Sequence, residues 1–139
     1  MQTFLPYPDF SRSAAVLDNK RLQKQFVECK QIYLSLTEPE YGWKNHPAVR
    51  MWEGYKECLC EYAFHCAVEW EGRFQKDHSL TLFFIRHMHI TTYTKWFGNT
   101  QFHLSHRSNL LRKDYDYYHS YFGNIPPNIP YFWPTKEGY

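Results

Sequence analysis

Apolar side chains return every three or four positions through most of this chain, which is the spacing of α-helices that bury one face. From Ser13 to about Leu36 the recurring positions are Val16, Leu17, Leu22, Phe26, Cys29, Tyr33 and Leu36, with a candidate break at Asp18 and Asn19. Arg21, Lys24, Gln25 and Glu28 fall on the opposite, polar side. Glu38, Pro39 and Gly42 mark a loop, and Pro47 suits the first position of a second helix. There Val49, Trp52, Tyr55, Leu59, Tyr62, Cys66 and Trp70 repeat as far as Gly72, which predicts about seven turns through the centre of the domain. Residues 79–97 mix leucine with β-branched and aromatic residues, so helix and strand compete, and helix is favoured. After a turn at Gly98–Asn99, the stripe of Leu104, Ser108, Leu111, Tyr115, Tyr118 and Phe122 predicts a last helix from about Ser105 to Phe122, stopped by Gly123.

Both ends read differently. MQTFLPYP carries Pro6 and Pro8, which resist a helix interior, so the amino terminus is expected to be an extended arm, with Asp9 or Ser11 capping the helix that follows. The tail NIPPNIPYFWPTKEGY, rich in proline and aromatics, is expected to be an extended strap docked on the body. The pattern as a whole predicts an all-α fold: one compact domain of about four helices, an arm and a strap. At 139 residues such a chain buries about 65–70% of its unfolded surface and folds without crosslinks.

Composition changes this picture in three respects. The formal charge is only +2, yet Lys, Arg and eight histidines cluster, which permits a basic face that the net charge conceals. Aromatics are 20% of the chain, beyond what a core of this size requires, so some rings should be exposed where bases could stack on them; Trp43, Tyr131 and Trp133 are the candidates. Cys29, Cys58, Cys60 and Cys66 sit in apolar helical patterns with no Cys-x-x-Cys pair. They read as reduced core residues, with neither a disulfide nor a metal or cofactor expected. No signal sequence opens the chain and no apolar run reaches the roughly 18 residues of a membrane span, so no membrane association is expected and the location should be cytoplasmic, or within a host cell for a viral protein.

Glu28 is the first candidate for chemistry. On a helix Arg21, Lys24 and Glu28 lie at i, i+3 and i+7, so the carboxylate stands among cations that favour its ionised form, and an ionised acid can stabilise a developing cation. A plain Lys24–Glu28 ion pair is the simpler reading of the spacing, and Glu28 stands out only where other features agree. His46, just ahead of Pro47, can meet a phosphate or base at the positive end of a helix, with Arg50 one turn on; a capping or packing histidine is the alternative. His87 and His89 would face different sides of a helix, which disfavours a shared metal. SHRSNLLRKD at 105–114 offers His106, Arg107, Arg112 and Lys113 to backbone phosphates, a role that holds position without reading sequence, or else forms a solvated basic face. Glycine-rich phosphate loops, nucleophile elbows, zinc-protease motifs and zinc-deaminase motifs are all missing from the sequence. Chemistry without metal or cofactor remains.

LDNKRLQKQFVE at 17–28 and NHPAVRMWEGYKECLCEY at 45–62 resemble the pyrimidine-dimer DNA glycosylase family, the endonuclease V-like superfamily of phage. The opening MQTFLPYPDF and the SHRSNLLRKD segment are also similar to a group of short microbial and viral proteins associated with it. The resemblance implies an all-helical enzyme whose amino-terminal α-amine attacks the sugar C1′ of a damaged nucleotide, expelling the base and forming an imine that a glutamate stabilises. Glu28 matches that glutamate, Arg21 a histidine that contacts DNA near the lesion, and His46 a histidine ahead of the central helix. An α-amine, with an ordinary pKa of about 7.7–8.0, is partly neutral at physiological pH and so can serve as nucleophile. Two departures matter: Gln2 is large and should protect Met1 from removal, leaving either the Met1 or the Gln2 amine as nucleophile, and Val27 replaces an arginine that grips DNA. The expectation is therefore a monomeric DNA glycosylase acting on double-stranded DNA with a damaged or modified pyrimidine, either with AP lyase activity or with Glu28 activating water. The proposed clamp on the strand is Arg21, Lys24, His46, Arg50, His106, Arg107, Arg112 and Lys113. The alternatives are a nucleic-acid-binding protein without catalysis, using the same basic face, and an interaction module whose aromatic tail docks a partner protein.

Overall fold

A computed structural model describes residues 1–89 and 93–134. Among them the chain forms seven helices and no strand: α1 (Phe10–Val16), α2 (Asn19–Thr37), α3 (Pro47–Arg50), α4 (Lys56–Phe74), α5 (Ser79–His87), α6 (Thr100–Lys113) and α7 (Tyr115–Phe122). The fold is all-α, as the periodicity requires. α2 packs on α4, which also takes α1 and α5, while α6 lies against α7. Leu22, Phe26, Cys29 and Ile32 of α2 and Leu59, Cys60, Tyr62, Ala63, Cys66 and Ala67 of α4 are completely buried at the centre. All four cysteines are free, and burial pushes the thiols of Cys58, Cys60 and Cys66 up to about 12, which keeps them protonated packing groups.

Seven helices replace the expected four because three of the long helices break. The first break, at Leu17 and Asp18, falls where the sequence marks it; Asp9 rather than Ser11 caps α1, accepting from Arg12 N at 2.8 Å. The central helix does not run unbroken from Pro47 to Gly72. Residues 51–55 form a turn with Gly54 at φ +85°, a conformation that suits glycine. The break frees the Met51 carbonyl, and the Trp96 indole donates to it at 3.0 Å. The last helix begins at Thr100, five residues before the expected start, because Asn99 caps it by accepting from Phe102 N. It stops at Lys113, where Asp114 turns to φ −154° and its carboxylate caps α7. Helix is right for residues 79–87; residues 90–92 lie outside the described part, and 93–99 are turns and irregular backbone.

The strap is docked as expected through residue 134. Ser108 Oγ donates to the Pro126 carbonyl at 2.5 Å and accepts from Ile129 N at 2.9 Å, and Ser105 Oγ accepts from Phe132 N at 3.1 Å. Residues 135–139, the end of the predicted strap, lie outside the described part. Among the described residues no helix is long and apolar enough to cross a membrane.

Candidate active site

An extended segment with two prolines cannot satisfy its own backbone groups, so once buried it must find partners elsewhere. The arm is buried: Thr3 and Leu5 are fully covered and Phe4 is 7% exposed. Its partners are side chains. Gln25 Oε1 accepts from Phe4 N at 2.6 Å and Gln25 Nε2 donates to the Gln2 carbonyl at 2.7 Å. Tyr62 donates its hydroxyl to the Phe4 carbonyl. His106 Nδ1 accepts from Leu5 N at 2.9 Å, and Arg107 donates to the Pro6 carbonyl at 2.7 Å. His103 Nε2 accepts from Gly98 N at 2.9 Å, so the ring proton sits on Nδ1 and is donated to the Leu5 carbonyl at 2.8 Å. Ser13 Oγ closes the arm, accepting from Tyr7 N and donating to the Tyr7 carbonyl.

Held this way, the arm ends at Glu28. The Gln2 N–H donates to Glu28 Oε2 at 2.9 Å. The other carboxylate oxygen lies 3.9 Å from Lys24 Nζ, a long pair with an exposed lysine, so the intrahelical ion pair exists but does not account for the carboxylate's place. Glu28 opens on a cleft of about 360 Å³ lined by Met1, Gln2, Phe4, Lys20, Arg21, Lys24, Gln25, Glu28, Lys113 and Tyr131. The lining thus carries four cations and one carboxylate, a net positive surface of the kind that can attract a phosphodiester strand.

The expected clamp divides. Arg21, Lys24 and Lys113 line the cleft, although Arg21 also reaches both oxygens of Asp18 at 3.1 and 3.2 Å. His46 caps α3, its Nδ1 accepting from Ala48 N at 3.0 Å, so the capping alternative describes that nitrogen. Burial lowers the His46 pKa first and the terminal ammonium second, while Glu28 raises it, which puts the imidazole within electrostatic reach of both. Arg50 is exposed at the end of α3, outside the cleft lining. His106 is a correction: it is 1% exposed, and burial followed by the neighbouring His103 pushes its pKa down to about 3. It is a neutral acceptor inside the protein and has no surface to offer a phosphate. Arg107 and Arg112 are corrected in part, since Arg107 is tied to the arm and Arg112 donates to the Pro127 carbonyl of the strap at 2.6 Å. Of the stacking candidates, Tyr131 lines the cleft with its ring 6.4 Å from Phe4, Trp133 packs 5.5 Å from Tyr131, and Trp43 is 59% exposed.

Sequence reasoning missed Lys20, and it placed Gln25 on the polar side of its helix, whereas Gln25 is 1% exposed beneath the arm. Its spacing of three from Glu28, which puts both on one face of α2, was the available signal.

The family model for pyrimidine dimer DNA glycosylases matches residues 1–82, more than half of the chain. The chain belongs to the pyrimidine dimer DNA glycosylase family. No curated protein and no solved structure matches it. The family match covers the arm, Arg21, Gln25, Glu28, His46 and Arg50 and ends within α5, so Lys113 and Tyr131, which complete the cleft, come from the part of the chain beyond it.

Proposed function

We propose that the chain is a DNA glycosylase with AP lyase activity, acting as a monomer on double-stranded DNA that carries a damaged or modified pyrimidine. The observation that carries this reading is the Gln2 nitrogen on the Glu28 carboxylate at 2.9 Å, in a cleft lined by Lys20, Arg21, Lys24 and Lys113. With Met1 retained, as the bulk of Gln2 favours, the α-amine is one residue beyond that contact, on a residue that lines the same cleft as Glu28. With Met1 removed, the Gln2 nitrogen becomes the amine at the same place.

The neutral amine attacks C1′ of an extruded nucleotide. The N–C1′ bond forms as the glycosidic bond breaks, and the base leaves with the bonding pair and takes up a proton. Loss of an amine proton lets the nitrogen lone pair open the C1′–O4′ bond, O4′ keeps the bonding pair and takes up a proton, and the resulting imine in its cationic form is stabilised by the Glu28 carboxylate. Removal of a C2′ proton then breaks the C3′–O bond and releases the 3′ phosphate, and water hydrolyses the imine to free the amine. Lys20, Arg21, Lys24 and Lys113 hold the strand by its phosphates, with His46 and the exposed Arg50 as further contacts outside the cleft lining.

Borohydride trapping on abasic-site DNA tests this, with intact-mass analysis and peptide mapping of the adduct. An adduct on the terminal amine is expected, and its mass tells whether Met1 is present. A folded protein that binds the DNA and gives no adduct overturns the lyase mechanism. Base release that survives Glu28→Gln removes the catalytic part of the glutamate, and if the unmodified chain releases no base either, the reading as a non-catalytic nucleic-acid binder takes its place.

A further inference from the structure

Gln25 lies one helical turn before Glu28 and is almost completely buried. Its amide works in both directions at once, accepting from Phe4 N at 2.6 Å and donating to the Gln2 carbonyl at 2.7 Å, while the Tyr62 hydroxyl, whose one proton is shared with the Phe4 carbonyl, lies 3.1 Å from the same Oε1. A planar amide that takes the N–H of one residue and gives to the carbonyl two residues earlier imitates the edge of a neighbouring strand. It fixes both the height and the rotation of the segment it spans. The carbonyl it holds belongs to Gln2, whose N–H is on Glu28. One turn of α2 therefore grips the last peptide groups of the arm by two successive atoms, the N–H through Glu28 and the carbonyl through Gln25.

We propose that Gln25 is the positioning residue for the terminal amine: by fixing the Gln2 carbonyl and the Phe4 N–H, it sets the reach of that amine to the sugar C1′ beside Glu28. The inference rests on the imine-forming reading above. Gln25 borders the cleft, but its amide is engaged by the arm, so its part in the reaction is to position the amine and not to react. The chemistry demands an amide at this place. A carboxylate keeps the acceptor for Phe4 and Tyr62 but meets the Gln2 carbonyl with lone pairs, and it adds charge one turn from Glu28. A thioether of similar length supplies no hydrogen bond to either side.

Misplacing a nucleophile by about 1 Å costs on the order of a hundredfold in rate, with little effect on binding that other residues supply. The experiment is single-turnover borohydride trapping by the full-length protein on duplex DNA containing one abasic site, across a range of protein concentrations. Gln25→Met and Gln25→Glu are compared with the unmodified chain. The expected result is a fall in the maximal trapping rate of about tenfold to a hundredfold, with the half-saturating concentration within about threefold. A merely structural role does not produce that split, since partial unfolding lowers the amplitude of trapping and leaves the rate of the folded fraction intact. If Gln25→Met does not fold, Gln25→Glu decides, because it keeps the acceptor for Phe4 N and loses the donor to the Gln2 carbonyl. A maximal rate within about threefold of the unmodified chain overturns the inference and leaves the proposed function standing. A parallel change in rate and half-saturation overturns it as well. No adduct from the unmodified chain overturns the proposed function, and this inference with it.

Discussion

Acid should loosen the arm through one residue. His106 is buried, its Nδ1 occupied by Leu5 N–H, and burial holds its pKa at about 3 against 6.5 for a free imidazole. Between those values the unfolded chain takes up a proton that the folded chain refuses, so the stability contributed by neutral His106 is fully present above about pH 6.5 and is lost as pH falls toward about 3. The slope is at most about 1.4 kcal/mol per pH unit, and from about pH 7 to about pH 4.5 the loss integrates to about 2.5 kcal/mol. That figure barely depends on where below about pH 4 the folded value lies, because imidazole in the fold is still mostly neutral at about pH 4.5. Such a loss is a large part of the stability of a domain of this size.

The assay is urea unfolding of the native chain and of His106→Asn at the two pH values. Asparagine keeps an acceptor near the Nδ1 position and cannot charge, so the variant should be weaker at neutral pH, through poorer packing, yet lose about 2.5 kcal/mol less on acidification. His46 and His103 are lowered too and add to the same slope, whereas Glu61, raised by burial, contributes the opposite sign. Arg107, beside His103 on the arm, stays charged throughout. These groups are common to both proteins, so the difference between their pH dependences reports His106 together with its coupling to His103. Parallel pH dependences in the two would refute the argument.

Three other perturbations separate the parts of the site. Glu28→Gln should lower base release and trapping by at least about a hundredfold in single-turnover assays while anisotropy gives a DNA Kd within about threefold. Removing Lys20 and Lys113 together should weaken damaged and undamaged DNA alike, and should reduce the salt slope of binding by about one for each phosphate that is no longer neutralised. Ser108→Ala leaves the Pro126 carbonyl and the Ile129 N–H without their partner and should cost about 1–3 kcal/mol in urea unfolding, with earlier proteolysis of the strap after Phe122.

Helices were legible in this sequence because burial of one face imposes a period, and Leu22, Phe26, Cys29 and Leu59, Tyr62, Cys66 keep that period over many turns. The break at Asp18 was legible too, but the other two were not, since the turn at residues 51–55 and the stop at Asp114 are made by partners distant from the helical pattern or by a single cap. The candidate site divides in the same way. Glu28 and its surrounding cations follow from residue type and helical spacing, whereas the hydrogen bonds that bring the arm to Glu28 join residues 98 to 101 positions apart for His103, His106 and Arg107. A basic cluster reads as a phosphate surface because a cation is ordinarily solvated, and nothing local says that an imidazole will act as a neutral acceptor or a guanidinium as a donor to backbone. Yet the demand for such groups was present at the other end of the chain. MQTFLPYP is too apolar to stay in water, and Pro6 keeps it from pairing as a helix or a central strand. Its backbone N–H and carbonyl groups must then be met by side chains that reach inward, and where an N–H needs an acceptor without charge, glutamine and histidine supply one. Gln25, His103 and His106 are polar groups on otherwise helical faces for that reason, and the same hydrogen bonds that satisfy the arm deliver its end to the acid.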